Sequence, residues 1–345
     1  MDKISTVGLD IAKHVFQVHC ETAAGQVVVR RQLRRAAVLT FFGKLPACVV
    51  GIEACSSAYY WAREIGALGH EVRLMPPVRV KAYVAWGRKN DAADAAAICE
   101  AVRRPSMRFV PVKTVEQQAV LMLHQARRLL VAQRTRLCNA VRGHLAELGI
   151  TAAKGAAGFT ALLRLVAAPA DERLPAIARA ALATLAHQWH SAGEQIDGLD
   201  AQILAWHKSD ADSLRVATIP QIGPIIASAL VARTGDATRF RNGRQFAAWI
   251  GLVPRQNSSG GKERLGRITK TRDRYLRQLL VIGATGMIRR VRANPALSPW
   301  LAGLLRRMPA KKAAIALANK LARVAWAILA HGGVYQARQH EPAAG

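Results

Sequence analysis

Apolar and polar positions alternate at the start of the chain, and the period then lengthens. Val7, Leu9 and Ile11 are separated by small or polar residues, the two-residue period of a half-buried strand. Residues 15–20 predict a second strand. A turn at Ala24 and Gly25 leads to a third over 27–30, in a hairpin-like arrangement. Residues 36–44 predict a helix. Residues 48–53 predict a buried strand ending in a carboxylate, 59–68 a helix stopped by Gly69, and 71–75 a fifth strand closed by Pro76 and Pro77. Residues 91–103 are alanine-rich and predict a helix. Three meandering strands followed by alternating helices and strands form an α/β pattern.

Beyond residue 115 the period becomes helical. Residues 116–148 hold no proline and one glycine near their end, and Leu123, Ala126, Leu130, Leu137, Val141 and Leu145 recur at spacings of three and four. A helix of this length seldom stands alone, so a coiled-coil or hairpin partner is expected, and 175–207 supplies it. Residues 151–170 are rich in alanine and glycine and predict no definite element. The run from Thr218 through Gly223 to Ala227 resembles the tight turn of a helix-hairpin-helix, where a glycine lets backbone approach a phosphate. Residues 255–277 are polar and basic, apolar helices follow to about 331, and the tail 336–345 is polar. The expected division is 1–113 for an α/β domain, 114–212 for a helical coiled-coil region, 213–335 for a mainly helical C-terminal domain, and the tail.

Charge sharpens this division. The chain has 345 residues, 51% hydrophobic, with a formal charge of +28. The net charge is +11 over 1–150, −2 over 151–212 and +19 over 213–345. The hydrophobic content is that of a folded protein, and the charge favours a polyanion as partner, nucleic acid first. No apolar run approaches the ~20 residues of a membrane-spanning helix. Met1-Asp2-Lys3 lacks the apolar core of a signal peptide, so a cytoplasmic, nucleoid-associated protein is expected. Cys20, Cys48, Cys55, Cys99 and Cys138 show no C-x-x-C spacing and read as free thiols, not a disulfide framework or zinc ribbon.

Against this positive field, four acids stand in unusual places. Asp10 follows an apolar strand, Glu53 ends another, and Asp91 and Asp94 share one helix face beside Arg88 and Lys89. Carboxylates gathered from two strand ends and one helix suit Mg²⁺, which takes hard oxygen ligands and keeps waters for phosphates. Two such ions about 4 Å apart can serve phosphoryl transfer. Taken singly, each acid could instead cap a turn or a helix, though Asp94 lies inside its helix.

The segments Gly8-Leu9-Asp10-Ile11-Ala12-Lys13, Gly51-Ile52-Glu53-Ala54-Cys55 and Lys89-Asn90-Asp91-Ala92-Ala93-Asp94-Ala95 resemble the Asp-Glu-Asp-Asp tetrad of a bacterial transposase family. It is the insertion-sequence one-ten family, the bridge-RNA-guided recombinases. Phe246 to Arg255, then Ser258-Ser259-Gly260-Gly261-Lys262 and Gly266-Arg267-Ile268-Thr269-Lys270, resemble its second signature. Arg272 stands where the family commonly has glycine, and Ser56 replaces another frequent glycine. The resemblance implies a RuvC-like, RNase H-fold N-terminal domain, a coiled-coil insertion and a C-terminal transposase domain. It implies Mg²⁺, with Mn²⁺ as the alternative, on Asp10, Glu53, Asp91 and Asp94, and Ser259 as the nucleophile that attacks DNA phosphate. It implies donor element ends and target DNA as substrates, a structured non-coding guide RNA, and a homo-oligomer, dimer or tetramer, in which one protomer's tetrad meets another's serine.

A serine hydroxyl needs help to act as a nucleophile at neutral pH, and no histidine is near Ser259 in sequence. Arg255, Lys262, Arg264, Arg267, Lys270, Arg272, Arg274 and Arg277 crowd one segment, offset only by Glu263 and Asp273. With Lys89 they form the expected phosphate-contacting set, giving affinity more than sequence choice. His187, His190 and His207 form no convincing ligand set, and the tryptophans read as core. Two rival functions fit the same residues. A metal-dependent DNA junction endonuclease using activated water would need the tetrad but not Ser259. A non-catalytic RNA-binding protein would need neither.

Overall fold

The computed structural model describes residues 3–84, 90–169, 171–257, 264–269 and 273–336. The chain folds as two compact units, 1–114 and 115–345.

The first unit is a mixed sheet with helices. Strand β1 (Ile4–Asp10) pairs antiparallel with β2 (Val15–Thr22), which pairs antiparallel with β3 (Val27–Arg34). A short helix, α1 (Val38–Phe42), leads to β4 (Val49–Glu53), which returns parallel to β1. Helix α2 (Ala58–Ala67) then crosses to β5 (Glu71–Met75), parallel to β4, so the strand order is β3-β2-β1-β4-β5. A single turn, α3 (Pro77–Val80), and the helix α4 (Asp91–Val102) follow. Val7, Leu9, Phe16, Val18, Val50 and Ile52 are fully buried, and Trp61 and Ile65 of α2 close over them. The alternation seen in the sequence is thus the alternation of sheet faces. Helix α4 covers the other face with Ala97, Ile98, Ala101 and Val102, beside Met75 and Val80.

Among its described residues the second unit is helical apart from one small hairpin. Helix α5 (Val115–Glu147) and α7 (Ala176–Ser209) run antiparallel, Glu116 accepting a hydrogen bond from Trp206 at one end while Arg134 lies over Trp189 further along. Helix α6 (Ala156–Ala167), for which the sequence offers no definite signal, packs Phe159, Leu162 and Val166 against their far end. Helix α8 (Ala211–Ala217) and α9 (Pro224–Thr234) flank the turn around Gly223, and α10 (Gly243–Ile250) follows. Strands β6 (Pro254–Gln256) and β7 (Leu265–Ile268) pair antiparallel, where the sequence reads only as polar and basic. Helices α11 (Arg274–Ala293), α12 (Pro299–Arg307) and α13 (Ala310–His331) complete the unit.

Helix α13 corrects one expectation. By length and composition it is apolar enough to cross a membrane. Its Ala314, Leu317, Leu321, Ala325 and Ile328 are buried in the core of this unit, as in a core helix.

A buried polar contact ties α5 to that core. His124 has no exposed surface; its Nδ1 lies 3.0 Å from the Tyr275 hydroxyl and its Nε2 3.1 Å from Ser228 Oγ. Ser228 donates its one proton to the Pro224 carbonyl at 2.6 Å. Its oxygen therefore accepts from His124 Nε2–H, and Nδ1 accepts from Tyr275. The imidazole is neutral: burial first, then Arg233 and Arg127, push its pKa down to about 4.

All five cysteines are free. Cys20, Cys48 and Cys99 are buried, and Cys55 and Cys138 are half-buried.

Candidate active site

Asp10 ends β1 and Glu53 ends β4. These interior strands are parallel neighbours in a register that pairs Gly8 with Gly51 and Leu9 with Ile52, so both acids leave the sheet at the same end of their strands. Side chains two apart on a strand share a face. Asp10 therefore lies on the face of Gly8, and Glu53 on that of Gly51, and this is the face α4 covers. The glycines are what allow the close approach. A Cβ on Gly8 would fall on the Ala95 carbonyl oxygen and 2.6 Å from the Cys99 nitrogen. One on Gly51 would lie 2.9 Å from Val102 Cβ and 3.2 Å from Ile98 Cγ2.

The start of α4 carries the other two acids. Asn90 caps it, its side-chain oxygen accepting from the Ala93 N–H at 2.8 Å, a contact of the kind that stabilises a helix by ~1 kcal/mol. Asp91 and Asp94 occupy the first turn, where negative charge also favours the helix dipole. At the far end, Arg103 donates to Glu21 at 2.8 Å and to the Ala23 carbonyl at 3.3 Å, and Glu21 also meets His19 at 3.0 Å. The helix is thus held to the sheet by its small-residue face and by a half-buried ion pair.

The four acids act on one another. Burial first, then Asp94, Asp91 and Glu53 in that order, push the Asp10 carboxyl up to about 6, against a hydrogen bond from the Ile11 backbone. Burial and Asp94 also raise Glu53, opposed by Lys81. Lys81 was not among the residues singled out from sequence. Its only signal there is a basic position soon after the Pro76-Pro77 stop. Cys55, next to this group, is held protonated by burial and by Glu53, so the donors on offer are oxygens.

Among the described residues no group of three or more His, Cys, Asp and Glu side chains is set closely enough to hold a metal ion as it stands. The chemistry of the donor set still suits a hard divalent cation, since Asp10 and Glu53, raised by burial and then by neighbouring acids, gain most from a cation beside them.

The basic segment belongs to the second unit. Arg255 on β6, Arg264 before β7, Arg267 on β7 and Arg274 at the start of α11 are exposed. Thr269 N–H donates to the Val253 carbonyl at 2.9 Å, closing the hairpin. Asp273 caps α11 by accepting from Leu276 N–H at 2.9 Å and pairs with Arg233 at 2.9 Å. Arg277 differs from its neighbours: it is 9% exposed and donates to the Ile250 carbonyl at 2.7 Å. It braces α11 against α10 and leaves the set of outward cations expected to meet phosphate. Ser259, Lys262, Lys270 and Arg272, and Lys89 of the first unit, lie outside the described residues.

Comparison with known proteins bears on both units. A family model for a transposase of the DEDD type of IS110 matches residues 7–150, and one described as "Transposase IS116/IS110/IS902 family" matches 213–298. A probable family 20 transposase of Pseudomonas aeruginosa is 52% identical over 335 residues, covering 96% of this chain and 99% of that protein. The transposase for insertion sequence element IS1111A of Coxiella burnetii is 40% identical over 97% of this chain and 92% of its own length. The transposase for insertion sequence element IS1328 of Yersinia enterocolitica is 38% identical over 97% of this chain and 99% of its own. Both the matched segments and the near full-length relatives make this chain a member of the IS116/IS110/IS902 family of insertion-sequence transposases, enzymes whose substrate is DNA.

Proposed function

We propose that this transposase cuts and rejoins DNA by transesterification, with Ser259 as nucleophile and Asp10, Glu53, Asp91 and Asp94 as the seat of divalent metal. The single observation that supports it most is the convergence of the four acids from the ends of β1 and β4 and the first turn of α4, where burial first, and then Asp94, Asp91 and Glu53, push Asp10 up to about 6. Repelling carboxylates of this kind call for a cation. Mg²⁺, or Mn²⁺ in its place, would supply charge stabilisation at the scissile phosphate. The chain's own residues do the rest. The glycine floor and the Arg103–Glu21 pair hold α4, and so Asp91 and Asp94, over the ends of β1 and β4. Arg255, Arg264, Arg267 and Arg274, with Lys262, Lys270 and Lys89, hold the DNA backbone.

In the proposed step the Ser259 Oγ–P bond forms while the phosphate's bond to a deoxyribose oxygen breaks. The serine proton leaves to a base, and the departing oxygen takes up a proton. Rejoining is the reverse attack by a DNA hydroxyl on the phosphoserine, so no external energy source is required. The N-terminal part is read as a RuvC-like, RNase H-fold domain, consistent with the β3-β2-β1-β4-β5 order. The paired α5 and α7 are read as a coiled coil and the α8–α9 turn as helix-hairpin-helix-like, giving a division at 113/114 and 212/213. A structured guide RNA choosing the sites, a homo-oligomeric assembly and a cytoplasmic, nucleoid-associated setting belong to the same reading.

The test is a denaturing gel of wild type, Ser259→Ala and Asp10→Ala with element-flanking RNA, supercoiled DNA carrying the element ends, and Mg²⁺. A covalent protein–DNA adduct lost in both variants is expected. Cleavage retained in Ser259→Ala without any adduct would overturn the serine assignment in favour of a nuclease using activated water.

A further inference from the structure

A large cleft in the second unit lies apart from the basic segment. Its volume is about 1400 Å³, and Asn242–Arg244, Leu297–Trp300, one face of α13, Gly332, and Val334–Gln336 line it. This exceeds the ~300–1,000 Å³ that houses one drug-sized molecule. Helix α13 contributes Asn319, Lys320, Arg323, Val324, Ala327 and His331, which recur at helical spacing.

Two features of the lining point to a ligand. The first is charge. Arg244, Lys320 and Arg323 line the cleft and are exposed, and among the described residues that line it none is Asp or Glu. The second is aromatic surface beside those cations. Trp300 is 39% exposed, and the Lys320 ammonium lies 4.3 Å from its ring centroid. Trp326 forms a fixed wall, its Nε1–H donating to the Ala237 carbonyl at 3.1 Å and its ring meeting His331 edge-on at 5.2 Å. Tyr335, also in the lining, is half-buried, its N–H donating to Thr218 Oγ1 at 2.9 Å. Cations that track a backbone, together with aromatic rings that take bases, recognise single strands. A duplex hides its base faces in its own stack.

We propose that this cleft binds an unpaired stretch of nucleic acid, with a base stacked at Trp300 and phosphates on Arg244, Lys320 and Arg323. The site depends neither on Ser259 nor on the metal, so it is tested by binding alone.

The experiment is fluorescence anisotropy of the full chain with labelled oligo-dT, labelled oligo-rU and a labelled duplex, for wild type, Trp300→Ala, Trp300→Phe and Arg323→Ala. Circular dichroism checks that each variant folds. Trp300→Ala is expected to weaken single-strand binding about tenfold, with duplex binding unchanged. Trp300→Phe is expected to retain most of the affinity, and Arg323→Ala to lower it and flatten its salt dependence. Tighter binding of oligo-rU would assign the cleft to an RNA strand, and equal or tighter binding of oligo-dT to a DNA strand. Unchanged single-strand binding in Trp300→Ala and Arg323→Ala would overturn the proposal, as would an equal loss on single strand and duplex. A shift in sedimentation of Trp300→Ala with oligonucleotide binding intact would also overturn it, assigning the cleft to a second copy of the chain.

Discussion

His124 offers a sharp thermodynamic test of the second unit. It is buried where α5 meets α9 and α11, donating to Ser228 and accepting from Tyr275. Protonation at Nδ1 would set two donors against each other at Tyr275 and place a charge near Arg233 and Arg127, with only Asp200 acting in its favour. The folded-state pKa is therefore down at about 4, against a usual 6.5. For a base whose pKa falls on folding, the stabilisation is complete above the unfolded value and is lost as pH falls toward the folded one. The window runs from about pH 6.5 to about pH 4, where the unfolded chain binds the extra proton. At 1.36 kcal/mol per unit the full effect is about 3 kcal/mol, and most of it is gone near pH 4.5. The assay is urea unfolding followed by helical circular dichroism, for wild type and His124→Gln, at about pH 7.5 and about pH 4.5. Carboxylates titrate in both proteins, so the difference between their pH dependences isolates the imidazole. Wild type is expected to lose about 2–3 kcal/mol more than the variant between the two conditions. Parallel pH dependences would refute the buried neutral imidazole.

Two further expectations concern the first unit. Gly8→Ala is expected to destabilise it by about 1–3 kcal/mol, measured as a lowered thermal midpoint, because the added Cβ meets helix backbone that cannot rotate away. Strand exchange should fall with it, and an unchanged midpoint would contradict the packing described. Burial pushes the thiols of Cys20, Cys48 and Cys99 up to about 12, 11 and 12. Aromatic disulfide labelling of the native chain followed by peptide mass mapping should therefore find label only at Cys55 and Cys138. Early label at Cys99 would mean that α4 does not stay on the sheet.

Much of the first unit was legible because its signals are local. Val7, Leu9 and Ile11 show strand alternation before any contact is known, and an acid directly after such a run is conspicuous in a chain of +28. The same logic failed at β6 and β7, since Arg255, Gln256, Leu265 and Arg267 are all exposed and leave no apolar alternation to read. It failed at α6 because alanine and glycine dilute the pattern that Phe159, Leu162 and Val166 complete. His124 was illegible for another reason: its partners lie 104 and 151 residues away, so nothing nearby marks it as more than one polar residue on a long helix. Arg277 looked like its exposed neighbours because charge alone does not say which way a side chain turns. Lys81 escaped notice because only the fold brings it to Glu53.

The seating of α4 also sets how its acids reach the strand ends. The helix meets Gly8 with Ala95 and Cys99 and Gly51 with Ile98 and Val102, so it rests on two glycines over about two turns and not on one point. Asp91 and Asp94 project from one end of that seat, and the Arg103–Glu21 pair closes the other. A side chain added at either glycine therefore lifts the helix and carries both acids with it. The spacing between the helix acids and those of the strands is thus governed by two residues that bear no charge at all.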